Sequence, residues 1–159
     1  MKVAYYDCSI GPLVLMSDGA RLTGLHFPGW TPPERPGIGS DWVLDSAQRQ
    51  LDAYFSRQIT TFDLPLGLEG TPFQLRVWSA LLKIPYGETR SYAQLAAALD
   101  NPSATRAVGA ANGRNPISIV VPCHRVIGAD GSLTGFGGGI ERKKFLLSLE
   151  QGRELRLTA

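Results

Sequence analysis

The sequence is poor in the residues that build cross-links and metal sites, since its 159 residues include only two cysteines and two histidines. The cysteines, Cys8 and Cys123, lie far apart, which argues against the disulfide framework typical of small secreted domains. Cys8 and His26 could ligate zinc, but a structural zinc site usually needs four ligands. We therefore expect no bound metal, reduced thiols, and structural roles for Cys8 and His26.

Long apolar runs are missing as well. No stretch approaches the roughly 20 apolar residues that cross a bilayer, and the first residues lack the hydrophobic segment of a signal peptide. A composition of 43% hydrophobic and 19% charged residues is that of an ordinary globular protein. The expectation is a cytoplasmic protein with no membrane partner and no cofactor.

The net charge of +2 is small, but it is unevenly distributed. Residues 1–70 hold five Lys and Arg against eight Asp and Glu, which gives −3, whereas residues 71–159 hold eleven against six, which gives +5. The second part therefore has the electrostatic footprint of a polyanion-binding domain, and the first part does not.

The first part is predicted to form a small sheet with one helix. Turn sequences separate three short apolar segments, and apolar residues at helical spacing begin after Asp41. Residues 28–40 hold too many prolines and glycines for regular structure. The expected elements are strands at 3–8, 13–16 and 21–27, a helix from 41, a further edge strand at 60–64, and a linker at 65–70 that ends an N-terminal domain of residues 1–70.

The second part, residues 71–159, is predicted to be mostly helical, so the fold class is α+β. Thr71 with Gln74 and Ser91 with Gln94 are capping boxes, each of which starts a helix. We expect Ser103 to cap a third helix over 104–112 that Gly113 closes. The second and third helices, joined by a short turn, are typical of a helix-turn-helix. The first helix should bury Phe73, Val77, Trp78, Leu81 and Leu82.

The third helix is built mainly of small residues, and it includes Gly109, which costs about 1 kcal/mol relative to alanine in a helix interior. Such a helix either lets a partner approach its backbone closely or packs tightly against another helix. The composition leaves both alternatives open.

The apolar run 117–121 leads to Pro122, and a thiol and an imidazole then follow side by side. Pro122 suits the end of a buried strand, so Cys123 should lie at the exit of that strand. In strand geometry Cys123 and His124 would point to opposite faces. The chain must therefore turn here, or a water must bridge the two groups, unless Cys123 is simply a small core residue.

The end of the chain is predicted to form a turn at 128–131, a glycine-rich loop at 133–139 and a helix over 140–151. Glu150 lies in the last turn, where a carboxylate opposes the helix dipole. It is therefore either a functional residue or an ordinary exposed one. The helix should bury Ile140, Phe145, Leu146 and Leu149 and expose a basic cluster of Arg142, Lys143 and Lys144.

These motifs together resemble the O6-alkylguanine-DNA alkyltransferases, particularly the small bacterial ones. The resemblance rests on Pro122–Val126, on Arg106–Gly109 and on Asn115 with Pro116. It covers residues 71–151, including Ser91 with Tyr92, and extends more loosely through the N-terminal part. It implies a protein that flips an alkylated guanine from duplex DNA and moves the alkyl group to a cysteine.

The resemblance assigns the reaction to three residues. Cys123 would accept the alkyl group, His124 would activate it through a bridging water, and Glu150 would orient the imidazole. Because water does not cleave a thioether, each molecule should react once. A cysteine hydrolase and a non-catalytic helix-turn-helix module are the rival functions.

The resemblance also implies which residues contact DNA. Arg106 would enter the base stack in place of the flipped nucleotide, with the small residues Ala107, Gly109 and Ala110 lying in the minor groove. Tyr92 would crowd the phosphate beside the target and donate to the base. From the residues alone, Arg106 could equally contact a phosphate, and Tyr92 could be a core aromatic.

The rest of the site is implied in the same way. Asn115 would be a hinge between recognition helix and active site, although it could also be an ordinary cap or turn residue. The backbone at Cys123 and Val126 would accept from the guanine amino group, the Gly137 N–H would donate to O6, and Phe136 would stack on the base. The partner is alkylated duplex DNA, carrying O6-alkylguanine or O4-alkylthymine, bound by a monomer that could assemble cooperatively.

Overall fold

The computed structural model describes residues 1–32, 37–133 and 136–153. The chain divides into two compact units. One comprises residues 1–68 with 116–120, and the other comprises 69–115 with the residues from 121 onward. Across the described ranges, no helix combines the length and the apolar character needed to span a bilayer.

The first unit is a four-stranded sheet with one helix. Strands β1 (Lys2–Tyr6), β2 (Leu13–Ser17) and β3 (Leu22–His26) pair antiparallel, close to the predicted ranges. Helix α1 (Trp42–Phe55) begins at Asp41, whose side chain accepts a hydrogen bond from the Leu44 N–H. The helix contacts all three antiparallel strands.

Two predictions for the first unit are wrong. Strand β4 (Gly37–Ile38) pairs parallel with β1 inside the segment expected to be irregular. Residues 60–64 form no strand. There the Gln50 side chain on α1 donates to the Asp63 carbonyl and accepts from the Asp63 N–H, so a helix side chain takes the backbone groups that a strand would have paired.

The apolar run before the cysteine is a buried turn, and the predicted strand does not form. Ile117 makes a single bridge to Leu25, and Ile119 then adopts a φ of 71°. A positive φ is unusual for a β-branched residue and costs on the order of 1–2 kcal/mol. Ile119 is nevertheless fully buried, and the surrounding packing outweighs this local cost.

In the second unit, three helices pack together. They are α2 (Pro72–Leu81), α3 (Tyr92–Ala98) and α4 (Thr105–Gly113). Both predicted capping boxes are present, with reciprocal hydrogen bonds between Thr71 and Gln74 and between Ser91 and Gln94. Of the residues predicted to line α2, Val77, Trp78 and Leu81 are buried, whereas Leu82 is exposed.

The ends of α4 differ from the prediction. Ser103 does not cap the helix, because its hydroxyl donates to the Asn101 side chain and Ala104 occupies the N-cap position. Gly113 belongs to the helix, and the chain leaves it at Arg114.

One tryptophan ties α4 to α2. The indole N–H of Trp78 on α2 donates to the Ala111 carbonyl on α4 at 2.9 Å, and the Trp78 side chain is buried. This bond joins the first helix of the unit directly to the helix of small residues.

The remaining elements of the second unit surround the cysteine motif. Strand β5 (Arg90–Ser91) pairs parallel with β6 (Val126–Ile127), and a 3-10 helix at Cys123–Arg125 leads into β6. The predicted turn at 128–131 is confirmed by a hydrogen bond from the Gly131 N–H to the Gly128 carbonyl. Helix α5 (Ile140–Glu150) follows Gly139, whose φ of 91° favours glycine.

Candidate active site

Cys123 lies at the start of a tight helical turn. The 3-10 helix Cys123–Arg125 follows Pro122 directly, and the side chain of Cys123 is only 5% exposed. The chain therefore turns at the cysteine, which is one of the two solutions that the sequence left open. Because successive residues of a turn do not alternate between faces, the strand objection to a thiol beside an imidazole no longer applies.

His124 and Glu150 form a buried pair. The Nε2 atom of His124 lies 2.8 Å from Oε2 of Glu150, and both side chains are fully buried. Glu150 is thus a paired residue at the end of α5, which accounts for a carboxylate at the unfavourable end of the helix dipole. The other ring nitrogen of His124, Nδ1, takes no part in this pair. Within the described ranges it is buried and has no hydrogen-bond partner.

Burial and charge set the protonation of this pair. Burial lowers the pKa of His124, although the neighbouring Glu150 opposes that shift. The pKa of Glu150 falls to about 2 because the contacts with His124 and Arg125 outweigh its own burial. At neutral pH the arrangement is therefore a neutral imidazole bound to a carboxylate. Its Nε2 carries the proton, so Nδ1 has a lone pair available to accept another.

Two asparagines hold the backbone on either side of the cysteine. The Asn115 amide donates to the Val121 carbonyl at 2.8 Å, and the Asn112 amide donates to the Cys123 carbonyl at 3.3 Å. Both asparagines are buried, and Asn112 belongs to α4. The helix of small residues is thus linked through side-chain amides to the backbone that carries the thiol.

Lys143 contradicts the prediction of an exposed basic cluster. Its side chain is 0% exposed, whereas its neighbour Lys144 is exposed. Its ammonium donates to the Val126 carbonyl at 2.5 Å and lies about 6 Å from the rings of Tyr92 and Phe136. Burial lowers the pKa of Lys143, while the charge of Cys123 opposes that shift. A buried cation in electrostatic contact with a thiol favours its thiolate form.

We expect Lys143→Met to raise the pKa of the Cys123 thiol by about one unit, because the buried cation that stabilises the thiolate is lost. The measurement is the pH dependence of alkylation by iodoacetamide in a Cys8→Ser background, where Cys123 is the only thiol left. Lys144→Met is the matched control, since it removes the same charge from the exposed neighbouring position. Equal midpoints in the two variants would contradict a role for Lys143.

The predicted DNA-contacting residues lie on or beside α4. Arg106, Ala107 and Ala110 are exposed on this helix. A Cβ atom at Gly109 would lie 3.8 Å from the Tyr92 ring, an ordinary contact distance. Packing inside the protein therefore does not require glycine at this position. Tyr92 begins α3 and is partly buried, and burial together with the charge of Cys123 raises its pKa.

The predicted substrate pocket is only partly described. The Val126 carbonyl already accepts from the Lys143 ammonium, whereas the Cys123 carbonyl accepts from both the Asn112 amide and the Val126 N–H, so its two lone pairs are in use. Phe136 is partly buried and Gly137 is exposed in the turn before α5. Positions 134 and 135 of the predicted loop lie outside the described residues.

The structure adds Arg125, Lys143 and Asn112 to the residues that the sequence singled out. Arg125 contacts Glu150 through two nitrogens. Lys143 had a usable signal, because a spacing of seven residues places it on the same face of the helix as Glu150. Asn112 had none, since a polar residue near a helix end is usually exposed. Ile140, predicted to be buried, is 51% exposed.

Cys8 and His26 lie in the first unit and make local contacts. The Cys8 thiol donates to the Gly11 carbonyl, and the His26 ring stacks on Trp30 with 3.6 Å between ring centroids. Over the described ranges, no group of three or more His, Cys, Asp or Glu side chains is placed to hold a metal ion.

Two family models match the sequence. The 6-O-methylguanine DNA methyltransferase DNA binding domain matches residues 72–152, and the ribonuclease-like domain of the same family matches residues 1–68. Together the two matches leave few residues of the chain uncovered.

Curated relatives and solved structures agree with these matches. A methylated-DNA–protein-cysteine methyltransferase of Mycobacterium tuberculosis is 54% identical over 156 residues, covering 92% of this chain and 90% of the relative. One of Methanosarcina barkeri is 49% identical, covering 92% and 97%. A crystal structure of M. tuberculosis OGT in complex with DNA superposes with a TM-score of 0.91 at 52% identity, covering 96% of this chain and 94% of that one.

Proposed function

The chain belongs to the 6-O-methylguanine DNA methyltransferase family and repairs DNA by alkyl transfer from O6-alkylguanine to a cysteine, and we propose that this cysteine is Cys123. Cys8 is the only other cysteine, and it lies in the first unit. Cys123 is followed in the chain by a buried imidazole that pairs with a carboxylate, and the buried Lys143 ammonium is in electrostatic contact with it.

The observation that carries this proposal is the orientation of His124. Glu150 holds Nε2, so the imidazole presents Nδ1 as a proton acceptor in a buried site directly beside the cysteine in the chain. The thiolate is the nucleophilic form of cysteine, and a neighbouring base lowers the free-energy cost of forming it. A bridging water is the proposed route from the thiol to Nδ1, because Nδ1 has no hydrogen-bond partner in the described ranges.

The reaction then follows from these groups. Nδ1 of His124 takes the thiol proton, and the sulfur of Cys123 attacks the alkyl carbon. The S–C bond forms while the C–O6 bond breaks, and its electron pair stays on the guanine. The guanine anion then takes up one proton and becomes the ordinary lactam. This uptake balances the proton that the thiol has lost. The product thioether is not hydrolysed, which makes the transfer a single turnover.

On the DNA side, we propose that α4 enters the minor groove. Its exposed face consists of small residues around Arg106, and glycine at 109 is not demanded by packing within the protein. A backbone free of bulky side chains can approach a narrow groove closely. Arg106 would fill the gap left by the flipped base, while Tyr92, at the start of α3, would face the flipped nucleotide.

The distribution of charge along the chain supports the same proposal. The +5 charge of residues 71–159 fits a DNA-binding domain, and the −3 charge of residues 1–70 does not. We therefore propose a domain boundary near residue 70, with DNA contacts confined to the second domain. The protein would act in the cytoplasm as a monomer, with cooperative assembly on DNA as a further possibility.

The test is mass spectrometry after incubation with a duplex that contains O6-methylguanine. We expect one methyl group per protein, on the peptide that contains Cys123, and no further addition with excess DNA. An unchanged intact mass would contradict the proposal. Continued release of repaired DNA beyond one equivalent would instead indicate a cysteine hydrolase.

A further inference from the structure

Arg125 is a buried cation whose hydrogen bonds are directed mainly at Glu150. Its Nε donates to Oε1 of Glu150 at 2.7 Å, and its Nη2 donates to Oε2 at 3.0 Å. A third bond, from Nη1 to the Ile84 carbonyl at 2.7 Å, anchors the other side of the guanidinium. The Tyr86 ring lies 5.7 Å from its centre. This is the two-point geometry in which arginine binds a carboxylate most strongly.

Glu150 therefore serves two partners with one carboxylate. Its Oε2 atom accepts from Nη2 of Arg125 and also contacts Nε2 of His124, while Oε1 accepts from Nε of Arg125. The imidazole is held on one side of a carboxylate that is itself fixed by the guanidinium. Any rotation of the carboxylate would break at least one bond to Arg125.

The charge of the Arg125 guanidinium determines whether Glu150 is ionised. A fully buried carboxylate without a cation tends to take up a proton, because burial disfavours its ionised form. With Arg125 present, Glu150 and the guanidinium form a neutral pair, and Glu150 remains an acceptor for the Nε2 proton of His124. Without Arg125, a protonated Glu150 could no longer stabilise the imidazolium that forms when His124 takes the thiol proton.

We propose that Arg125 is a positioning residue that keeps Glu150 ionised and oriented, and so allows His124 to accept the proton of Cys123. This inference rests on the proposed function, because it assigns Arg125 a part in the proton transfer of that same site. Arg125 itself would contact neither the DNA nor the alkyl group.

Several charged groups of the described residues lie on the elements around the pair. Arg125 and Lys143 both influence the pKa of His124, the second from α5, and Cys123 precedes the imidazole in the chain. On α2, the charged residue is Arg76, which is exposed and donates to the Leu99 carbonyl. Near β5, Glu88 and Arg90 pair with each other at the surface. Of these groups, Arg125 is the cation with direct hydrogen bonds to Glu150.

The test compares Arg125→Met, Glu150→Gln and the double variant in a Cys8→Ser background. The readout is the pH midpoint for alkylation of Cys123 by iodoacetamide, which needs neither DNA nor methyl transfer. Failure of the proposed function would therefore appear in the mass measurement with methylated DNA, and failure of this inference would appear in the midpoints. Arg49→Met, at an exposed position on α1 of the other unit, is the matched control.

We expect both single variants to raise the midpoint by about one unit, which lowers alkylation about tenfold at a pH below both midpoints. The double variant should be no worse than the poorer single variant, because both substitutions interrupt the same chain of contacts. Arg125→Lys should recover part of the shift, since it keeps the charge but loses the two-point geometry.

Three results would overturn the inference. They are an unshifted midpoint in a folded Arg125→Met protein, a double variant whose shift equals the sum of the two single shifts, and an Arg125→Lys protein that behaves like the methionine variant. Circular dichroism establishes folding for each protein. If Arg125→Met alone fails to fold because Glu150 has lost its cation, Arg125→Lys still decides the question: its midpoint should lie above that of the wild type, and an unshifted midpoint would overturn the inference.

Discussion

Cys123→Ser is expected to abolish alkyl transfer while duplex binding stays intact. A serine hydroxyl is far less acidic than a thiol and a much poorer nucleophile toward an alkyl carbon, and the observed rate should fall by at least about 10⁴-fold. Binding should persist because Cys123 is buried and the exposed side chains of α4 are unchanged. The measurements are single-turnover transfer from O6-methylguanine duplex and a gel-shift titration with the same DNA.

Cys8→Ser is the matched control, because it makes the same atomic change at the other cysteine. It should transfer at the wild-type rate. If Cys123→Ser retained transfer, the acceptor would have to be Cys8, and the proposed site would be wrong. If Cys123→Ser lost both transfer and folding, as judged by circular dichroism, Cys123→Ala would supply the same comparison, because alanine puts no polar group into the buried site.

Arg106→Ala is expected to lower repair of duplex DNA about 100-fold and to leave the reaction with a free-base analogue nearly unchanged. Extruding a base costs a few kcal/mol of stacking and pairing, and a side chain that fills the gap offsets part of that cost. A free base is not stacked, so its reaction should not depend on Arg106. The measurement is the pair of rate constants, for O6-methylguanine duplex and for O6-benzylguanine.

The control for this prediction is Arg49→Ala, which removes an exposed arginine from the first unit. It should change neither rate constant. Equal losses on both substrates in Arg106→Ala would place Arg106 in the pocket or in the fold, and would contradict a role in base extrusion. A loss of binding that disappears at low salt would instead indicate a simple phosphate contact.

The helices of the second unit were predictable because their start signals are local. Each capping box joins two residues that are three positions apart, so it forms without contacts to distant parts of the chain. The two boxes are Thr71 with Gln74 and Ser91 with Gln94. The turn before Cys123 was not predictable in the same way. Its apolar residues have the composition of a strand, and the φ of Ile119 is imposed by packing that composition does not reveal.

The reactive pair was foreseeable, and its surroundings were less so. Glu150 attracted attention because it breaks the helix-dipole rule, and it does pair with His124. Lys143 broke no local rule, since a lysine between two other basic residues is usually exposed. Its burial follows from its position on the inner face of α5, two helical turns before Glu150. The family resemblance suggested the roles, but the contacts had to come from the fold.

The bond between Trp78 and Ala111 has an optical consequence. The chain has three tryptophans, and only Trp78 belongs to the second unit. Its indole is buried and bound to a carbonyl of α4, so a shift of that helix changes the polarity and hydrogen bonding that set indole emission. With Trp30 and Trp42 replaced by phenylalanine, the protein carries an intrinsic fluorescent reporter on the helix proposed to enter DNA, and no dye need be attached near the reactive thiol.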